Sequence, residues 1–474
     1  MSSRAVRIFK FGGTSVGNVQ AFKRSAEVLT ASAASGVGCV YGAFGVGAPR
    51  NAARRNLTRP PPPPPFPRST VGVLSAMFGV TNRLFDCVRL ATARDRAGLA
   101  RVRNGLLDYH VRIARDLCGP ASADDACDFI HASFAETVDA TCRDALGAGA
   151  LDAVGRDVVC SAGERWSTRI MAAFMSEGGG AHPGAFVDSA SVIATNGVAG
   201  NAKPLLEESR ALCAAALRPL LRAGAVPLVT GFYGAGPGGR PATFGRGGSD
   251  LSAAVLGYCL DAAQIVLYKV ECTHRRDGWM GEWAPGWVGI VHCADPSVTI
   301  PRLHYDEARE LSRFAKKVLH PDTVSPATEK RIPINVRNSL DPSHPGTLIV
   351  ADTAGDQRKP PRATTVTRVS LAEFEAKHPD QGELWPDTPV PGLEESDAFL
   401  VAVVGLDVMH VPAVEERALA ALAAAGIPAV LPARPHGSAH NVAVLVPRSR
   451  NDEAMALLHG LFVVGGDHPS LAGR

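Results

Sequence analysis

The chain has ten cysteines in 474 residues but no C-x-x-C pair and no ladder of regular spacings, which excludes a zinc ribbon or a disulfide framework. The thiols read as small apolar fillers in a reducing compartment. No apolar run reaches the roughly 18 residues that a membrane-spanning helix needs. No signal peptide precedes Val6, and the nine residues before Lys10 leave no room for a cleavable transit segment. A soluble, cytoplasmic protein with no membrane partner is the expectation. Charge bias is missing too: Lys+Arg 49 against Asp+Glu 46 gives a formal net charge of +3. The basic residues are scattered, and no stripe of them marks a nucleic-acid partner.

What is present is enough apolar material, 46% of residues, for two or three packed domains. The short run Val6–Phe9 predicts a strand, followed by Lys10-Phe11-Gly12-Gly13-Thr14-Ser15-Val16-Gly17 and a helix from about Asn18 with Val19, Phe22, Ala26 and Leu29 on one face. Strand, glycine turn and helix N-terminus gather backbone N–H groups and a lysine around one point, which is the geometry of an anion site. It is not a Walker loop, whose lysine follows the glycines. At a strand end, Lys10 is expected to carry no core burial; alone, it reads by default as a solvated surface lysine.

Further strands are expected at Val71–Leu74, Asp157–Cys160, Val226–Phe232, Ile265–Tyr268 and Thr347–Val350. Helical stretches are expected over about Arg83–Leu146 with breaks near Gly119-Pro120, from Ser161 to about Glu177, and over Leu251–Leu260. Strands alternating with helices imply an α/β sandwich with a largely parallel sheet. Gly234-Ala235-Gly236-Pro237-Gly238-Gly239 satisfies the dinucleotide pattern formally, but Pro237, Arg240 and Pro241 stand where a helix would open, so it reads as a hairpin tip. Residues 351–397, rich in Pro, Asp, Glu and Lys, read as a linker, and a β-α-β unit of about seventy residues follows: strand Phe399–Val404, helix Val414–Ala425, strand Val442–Val446, helix Asp452–Leu461. A unit so small reads as regulatory rather than catalytic.

Six sequence blocks carry a resemblance. They are Lys10-Phe11-Gly12-Gly13-Thr14-Ser15, Ser75-Ala76-Met77-Phe78-Gly79-Val80-Thr81-Asn82, Ser161-Ala162-Gly163-Glu164, Gly245-Arg246-Gly247-Gly248-Ser249-Asp250, Lys317-Val318-Leu319-His320-Pro321 and Val336-Arg337-Asn338. In this order the chain resembles the aspartokinase branch of the amino-acid kinase family over most of residues 4–35, 70–270 and 294–350. The resemblance implies a three-layer αβα sandwich with a largely parallel central sheet over 1–350 and a small α+β ACT domain over 398–464, with 351–397 a linker or the remnant of a first ACT module. It implies phosphorylation of the β-carboxylate of L-aspartate by ATP with Mg²⁺, the first step toward lysine, threonine and methionine. The alternatives are a non-catalytic amino-acid-sensing subunit and another enzyme of the same family.

A carboxylate with a pKa of about 3.9 is already ionised at neutral pH, so this chemistry needs no general base. It needs positive charge to bring two anions together in line. By resemblance Lys10 holds the reacting phosphates, with Gly12, Gly13, Thr14 and Ser15 around them and Lys317 on the nucleotide, while Asp250 orders lysine and phosphate. Arg246, in its glycine-flanked loop, can make a bidentate contact with the substrate α-carboxylate. Glu164 takes the α-ammonium group by resemblance, and otherwise is an acidic residue in a helix first turn. Ser75, Thr81 and Ser249 contact substrate by resemblance; Ser249 is otherwise an N-cap. Mg²⁺ is expected to ride on phosphates and water, with no protein cage.

Two stretches depart from the family pattern. Residues 42–69 include Pro60–Pro65, which read as an exposed loop, a ligand for an SH3-like module, or an artefact of gene prediction. Residues 273–289 separate Tyr268-Lys269-Val270-Glu271-Cys272 from Ala294-Asp295-Pro296-Ser297, where the family runs through a short acidic glycine turn and ends on an arginine. Trp279, Trp283 and Trp287 in that insert read as a stacking platform or as untrimmed sequence. His436 and His440, four apart in a glycine loop, read as a metal pair or as incidental. The ACT resemblance implies a lysine or threonine effector and a homo-oligomer formed through that domain.

Overall fold

The structure, a computed structural model, describes residues 6–34, 69–177, 182–245, 247–269, 300–314, 319, 321–341, 344–351, 363–378, 384–386, 390–433 and 438–464. The chain divides into two compact units, Met1–Val270 with Ser339–Pro345, and Glu271–Asn338 with Gly346–Arg474.

The first unit runs β1 (Val6–Phe11), α1 (Val19–Ala34), β2 (Ser69–Leu74), α2 (Val80–Thr92), α3 (Arg96–Leu117), α4 (Pro120–Ser133), α5 (Ala140–Ala148) and α6 (Ala153–Ser176). It continues with β3 (Gly184–Val187), α7 (Leu206–Arg222), β4 (Val226–Thr230), the short strands β5 (Tyr233–Ala235) and β6 (Pro241–Thr243), α8 (Gly248–Cys259) and β7 (Gln264–Lys269). The order β3-β4-β2-β1-β7 is parallel at every pairing. Strands covered on both faces are apolar nearly throughout rather than alternating: Phe9, Phe11, Val266 and Tyr268 join the core beneath α1 to α6. On the other face α8 packs on β1, β2 and β7, with Gly257 so close to Ile265 that a Cβ would stand 2.8 Å from it. This is the α/β sandwich and largely parallel sheet that the sequence implies. Gly234–Gly239 forms the expected hairpin tip, since β5 and β6 pair antiparallel around it.

One predicted strand is absent. Residues 157–160 lie inside α6, which starts at Ala153 with the Asp152 carboxylate accepting from Gly155 N at 2.7 Å. The apolar run Val158-Val159-Cys160 belongs to a helix buried almost all round, where Val159, Ala162, Trp166 and Ile170 recur at helical spacing. A short apolar run has the same appearance in a buried helix as in a buried strand.

The second unit holds β8 (Arg302–His304), α9 (Tyr305–Phe314), α10 (Val324–Glu329), β9 (Ile334–Asn338) and β10 (Thr347–Val350). There follow β11 (Thr365–Ser370), α11 (Leu371–Lys377), β12 (Ala398–Val404), α12 (Val414–Ala424), β13 (Asn441–Pro447) and α13 (Asn451–His459). The β-α-β-α order expected after residue 398 is present. The linker reading of 351–397 is corrected, because β11 pairs antiparallel with β12 from Thr365↔Val404 to Ser370↔Phe399 and is an edge strand of the sheet β11-β12-β13. Val366, Val401, Val403, Val442 and Val444 share a core there with Leu422 of α12 and Leu458 of α13. Most of the inserts at 42–69 and 273–289, with all three of their tryptophans, and His436 lie outside the described residues.

A buried histidine sets a pH limit on the first unit. His110 is fully buried in α3, its Nδ1–H donates to Leu106 O at 2.6 Å, and its ring stands edge-on to Trp166 at 4.7 Å. Burial pushes its pKa down to about 4. Unfolding restores the ordinary value near 6.5, so stability is complete above pH 6.5 and declines as the pH falls toward 4, by about 3 kcal/mol. Urea denaturation at pH 7 and at pH 4 is expected to show the wild type losing that much more than His110→Leu. Equal losses in the two proteins would contradict the assignment.

Candidate active site

β1 continues to Phe11, beyond the apolar run, because parallel partners on both sides carry it: Lys10 is level with Val73 of β2 and Leu267 of β7. Gly12 N then donates to Tyr268 O at 3.3 Å and Ser15 N to Gly12 O at 2.8 Å, which tightens Gly13–Val16 into a single 3₁₀ turn. Gly13 is required by proximity: a Cβ there would lie 2.7 Å from Ala76 O. Phe78 N donates to Gly13 O at 3.1 Å and Ser75 N to Phe11 O at 3.1 Å, so the loops after β1 and β2 are tied together. The helix follows as expected, with Asn18 Oδ1 accepting from Ala21 N at 2.9 Å.

The centre of the site is Asp250, in the first turn of α8 and 2% exposed. Its Oδ1 lies 2.9 Å from Lys10 Nζ and its Oδ2 2.7 Å from Lys269 Nζ. Burial by itself would raise the carboxyl pKa, but the two ammonium groups outweigh it and hold the group well below the usual carboxylate range. The expectation of an unburied Lys10 is corrected: it is 7% exposed and ion-paired. Next to Asp250, Ser249 Oγ accepts from Ser75 Oγ at 3.0 Å, which joins the start of α8 to the loop after β2. Gly247, at φ 84°, supplies the left-handed residue that lets α8 begin there.

Glu164 stands in the interior of α6, not in a first turn, so the helix-dipole alternative does not apply to it. Burial pushes its pKa up to about 8, against the opposing influence of the Ala76 N–H and the Lys10 charge. Its Oε2 has no hydrogen-bond partner among the described residues. A buried carboxyl with an open acceptor beside a lysine suits a cationic group of a ligand.

The structure thus gathers Lys10, Gly12, Gly13, Ser75, Glu164, Ser249 and Asp250 at the carboxyl edge of the sheet, where open α/β folds bind ligands. Thr14 lies half-buried in the same turn, and Thr81 half-buried in the first turn of α2. Ser15 has different surroundings: it is 2% exposed and lines a small cavity with Phe11, Ala21, Arg24 and Ser25. Arg246 and Lys317 lie outside the described residues. Sequence reasoning missed Lys269, quoting it only within a departure from the family pattern. The signal was a lysine closing an apolar strand that neighbours β1.

A parallel sheet whose carboxyl edge carries a glycine turn, two lysines and their shared carboxylate defines an α/β protein with an ion-paired cluster at that edge. Residues 5–270 match the model of the Amino acid kinase family, and the chain belongs to that family. It is 29% identical over 351 residues to the chloroplastic bifunctional aspartokinase/homoserine dehydrogenase 2 of Arabidopsis thaliana, which covers 72% of this chain and 32% of that protein. It is 31% identical over 289 residues to the chloroplastic aspartokinase 3 of the same plant, 59% of this chain and 47% of that one. The chain therefore spans 32% and 47% of these relatives' length. Among solved structures, E. coli aspartokinase III in complex with aspartate and ADP superposes with a TM-score of 0.68 at 23% identity, covering 96% of this chain and 99% of that chain. That likeness establishes the fold. No described helix is long and apolar enough to cross a membrane.

The contact between the two loops gives a direct test. Gly13→Ala is expected to cost about 1–3 kcal/mol, because the clash is with backbone that must shift. Gly105→Ala, on α3 with nothing within 4 Å of its added methyl, is expected to gain about 0.4–1 kcal/mol. Thermal melts of the two variants beside the parent decide, and a Gly13→Ala as stable as the parent would contradict the close approach.

Proposed function

We propose that the protein is an aspartokinase: it transfers the γ-phosphoryl group of ATP to the β-carboxylate of L-aspartate, giving 4-phospho-L-aspartate and ADP for lysine, threonine and methionine synthesis. The observation that carries this reading is the cationic cluster on Asp250 beside the bonded Ser75–Ser249 pair and the buried Glu164. The family match, the aspartokinase relatives, and the aspartate and ADP held by the E. coli structure agree with it. A carboxylate oxygen of aspartate attacks the γ-phosphorus, that P–O bond forms as the bridging P–O bond to ADP breaks, and no proton needs to move.

In this reading Lys10 and the glycine turn, Gly12 to Thr14, hold the phosphates with Lys317, while Ser15, turned toward α1, does not. Asp250 fixes Lys10; Arg246 takes the α-carboxylate and Glu164 the α-ammonium; Ser75, Thr81 and Ser249 line the substrate side. Mg²⁺ accompanies the nucleotide. Both Asp250 oxygens face lysines, so the ion is assigned to phosphate and water oxygens. The sheet β11-β12-β13 with α12 and α13 is assigned as an ACT module, with residues 363–377 from its preceding segment. An amino-acid effector is proposed there; another E. coli aspartokinase III structure holds lysine with aspartate. Association into a homo-oligomer through this module and a cytoplasmic location belong to the same proposal.

ADP release measured with aspartate, glutamate, acetylglutamate and UMP in turn tests the reading, and turnover is expected with aspartate alone. Turnover with another acceptor, or none with any, would overturn it, the latter in favour of a sensing subunit. The buried carboxyl adds a pH signature. Glu164 must ionise to meet an ammonium group, and burial pushes its pKa up to about 8. The KM for aspartate is therefore expected to rise roughly tenfold for each pH unit below that value and to level off above it. Glu164→Gln is expected to raise that KM and flatten its pH profile. A KM in the parent that does not vary between pH 6 and 9 would remove Glu164 from this role.

A further inference from the structure

Asp157, near the start of α6 and 5% exposed, is a buried acid that the proposed reaction does not use. Both of its oxygens are taken by donors from outside the helix. Oδ2 accepts from Thr243 N at 2.7 Å and from Gly200 N at 2.9 Å, and Oδ1 accepts from the Thr243 hydroxyl at 2.8 Å. Hydrogen bonds to a carboxylate are stronger than those between neutral groups, and these replace the water that burial removes.

What they hold is a strand that could not hold itself. β6 is three residues long and begins with Pro241, which has no N–H to give. Thr243 turns its backbone away from β5: Asp157 takes its N–H, and Ala202 N donates to its carbonyl at 2.9 Å. The end of β6 and the loop around Gly200 are thereby fastened to α6 together. They meet again two residues later, where a Cβ on Gly245 would stand 3.1 Å from Gly200 O. Gly245 O in turn accepts from Gly248 N at 3.0 Å, which leads into α8.

Glu164 lies two turns beyond Asp157 on the same face of α6, about 10 Å along its axis. One helix face therefore carries the carboxyl assigned to the substrate ammonium group and the carboxylate that fixes where β6 ends. Arg246, assigned to the α-carboxylate, follows Gly245 directly and precedes Gly247. An ammonium and a carboxylate on one carbon are met together only if helix and turn keep one spacing. Glycines on both sides leave the backbone free, so that spacing has to be set from outside the turn.

We propose that Asp157 is a positioning residue for amino-acid specificity: by holding Thr243 and Gly200 to α6, it sets the grip on the substrate α-carboxylate against Glu164. The inference rests on the aspartokinase reading for the amino acid and its α-carboxylate, and on this chain's own hydrogen bonds for the anchor. Asp157 acts through the end of β6 and does not touch substrate.

In the full chain, Asp157→Ala is expected to raise the KM for aspartate about tenfold or more and to leave the KM for ATP within about twofold of the parent. β-Alanine, which is aspartate without its α-carboxylate, separates positioning from general loosening. Its inhibition constant against aspartate is expected to stay within about twofold, because the weakened grip is on a group it lacks. Asp157→Asn, whose amide oxygen still accepts from both N–H groups, should recover most of the loss. Thr243→Val removes one donor with little change of shape and should raise the aspartate KM about threefold, so the test survives an Asp157→Ala that fails to fold. Hydrogen exchange reads the anchor without turnover: peptides over 241–245 should lose protection in both variants while those over β1 keep it. An aspartate KM unchanged in both variants, an equal rise for β-alanine, or unchanged exchange over 241–245 would overturn the proposal. Lost protection over 241–245 in the variants of a parent that does not phosphorylate aspartate would overturn the aspartokinase reading and leave the anchor standing.

Discussion

The sharing of Asp250 by Lys10 and Lys269 is the constraint on which the rest of the site depends. A carboxylate 2% exposed stays ionised where cations or hydrogen bonds replace its water, and here two cations do so, from two neighbouring strands. The chain therefore has to begin α8 where Asp250 can reach over β1 and β7. Gly247, in the left-handed region, and Gly248, packed against Phe232 and Phe244, make that start sterically admissible. Two ammonium groups and the carboxylate between them are then fixed in place before any ligand arrives. Preorganisation of this kind is what a reaction between two anions demands.

Around that centre, close backbone approach takes the place of side-chain volume. The methyl-free Gly13 lets the loop after β1 lie on Ala76, and Gly163 of α6 lies equally close to Ala76 and Val80. The same loop after β2 thus touches the glycine turn on one side and the helix bearing Glu164 on the other. Ser167 Oγ, one turn further along α6, donates to Ser75 O at 2.8 Å and closes the contact. Three elements distant in sequence are held so tightly together that Glu164, buried among them, keeps its proton more readily than an exposed carboxyl does.

The second unit solves a related problem by different means. Glu307 of α9 is fully buried, and its carboxylate accepts from Leu406 N at 3.1 Å, His304 N at 2.7 Å and the Thr364 hydroxyl. One turn later Glu310 accepts from Asn441 Nδ2 at 2.8 Å. Buried carboxylates survive where hydrogen bonds replace lost water, and these fasten α9 to the segments flanking β12 and β13. Their cost is offset only if α9 and the sheet keep one arrangement, so this unit packs around polar anchors as well as around its valine core.

Much of this was legible along the chain. The helix after Asn18, the hairpin at Gly234–Gly239 and the β-α-β-α run after Ala398 follow from local patterns of apolar, glycine and capping residues, whereas the pairing of Lys10 with Asp250 was implied by the family resemblance alone. Such patterns report which face of an element is buried and where it must stop. They do not report which elements meet. Residues 157–160 look like a strand until Asp152 caps a longer helix through them. Thr365–Ser370, in a stretch of linker composition, becomes a strand only because β12 offers it an edge. Ser15 leaves the anion side because the 3₁₀ turn carries its side chain toward α1. Lys269 gains its meaning only when the order β2-β1-β7 sets it beside Lys10 under α8. Sequence by itself determined the elements and the chemical groups at their ends. The tertiary structure decided which of those groups share a carboxylate, because that depends on which strands are neighbours, and distant parts of the chain become neighbours only in the folded sheet.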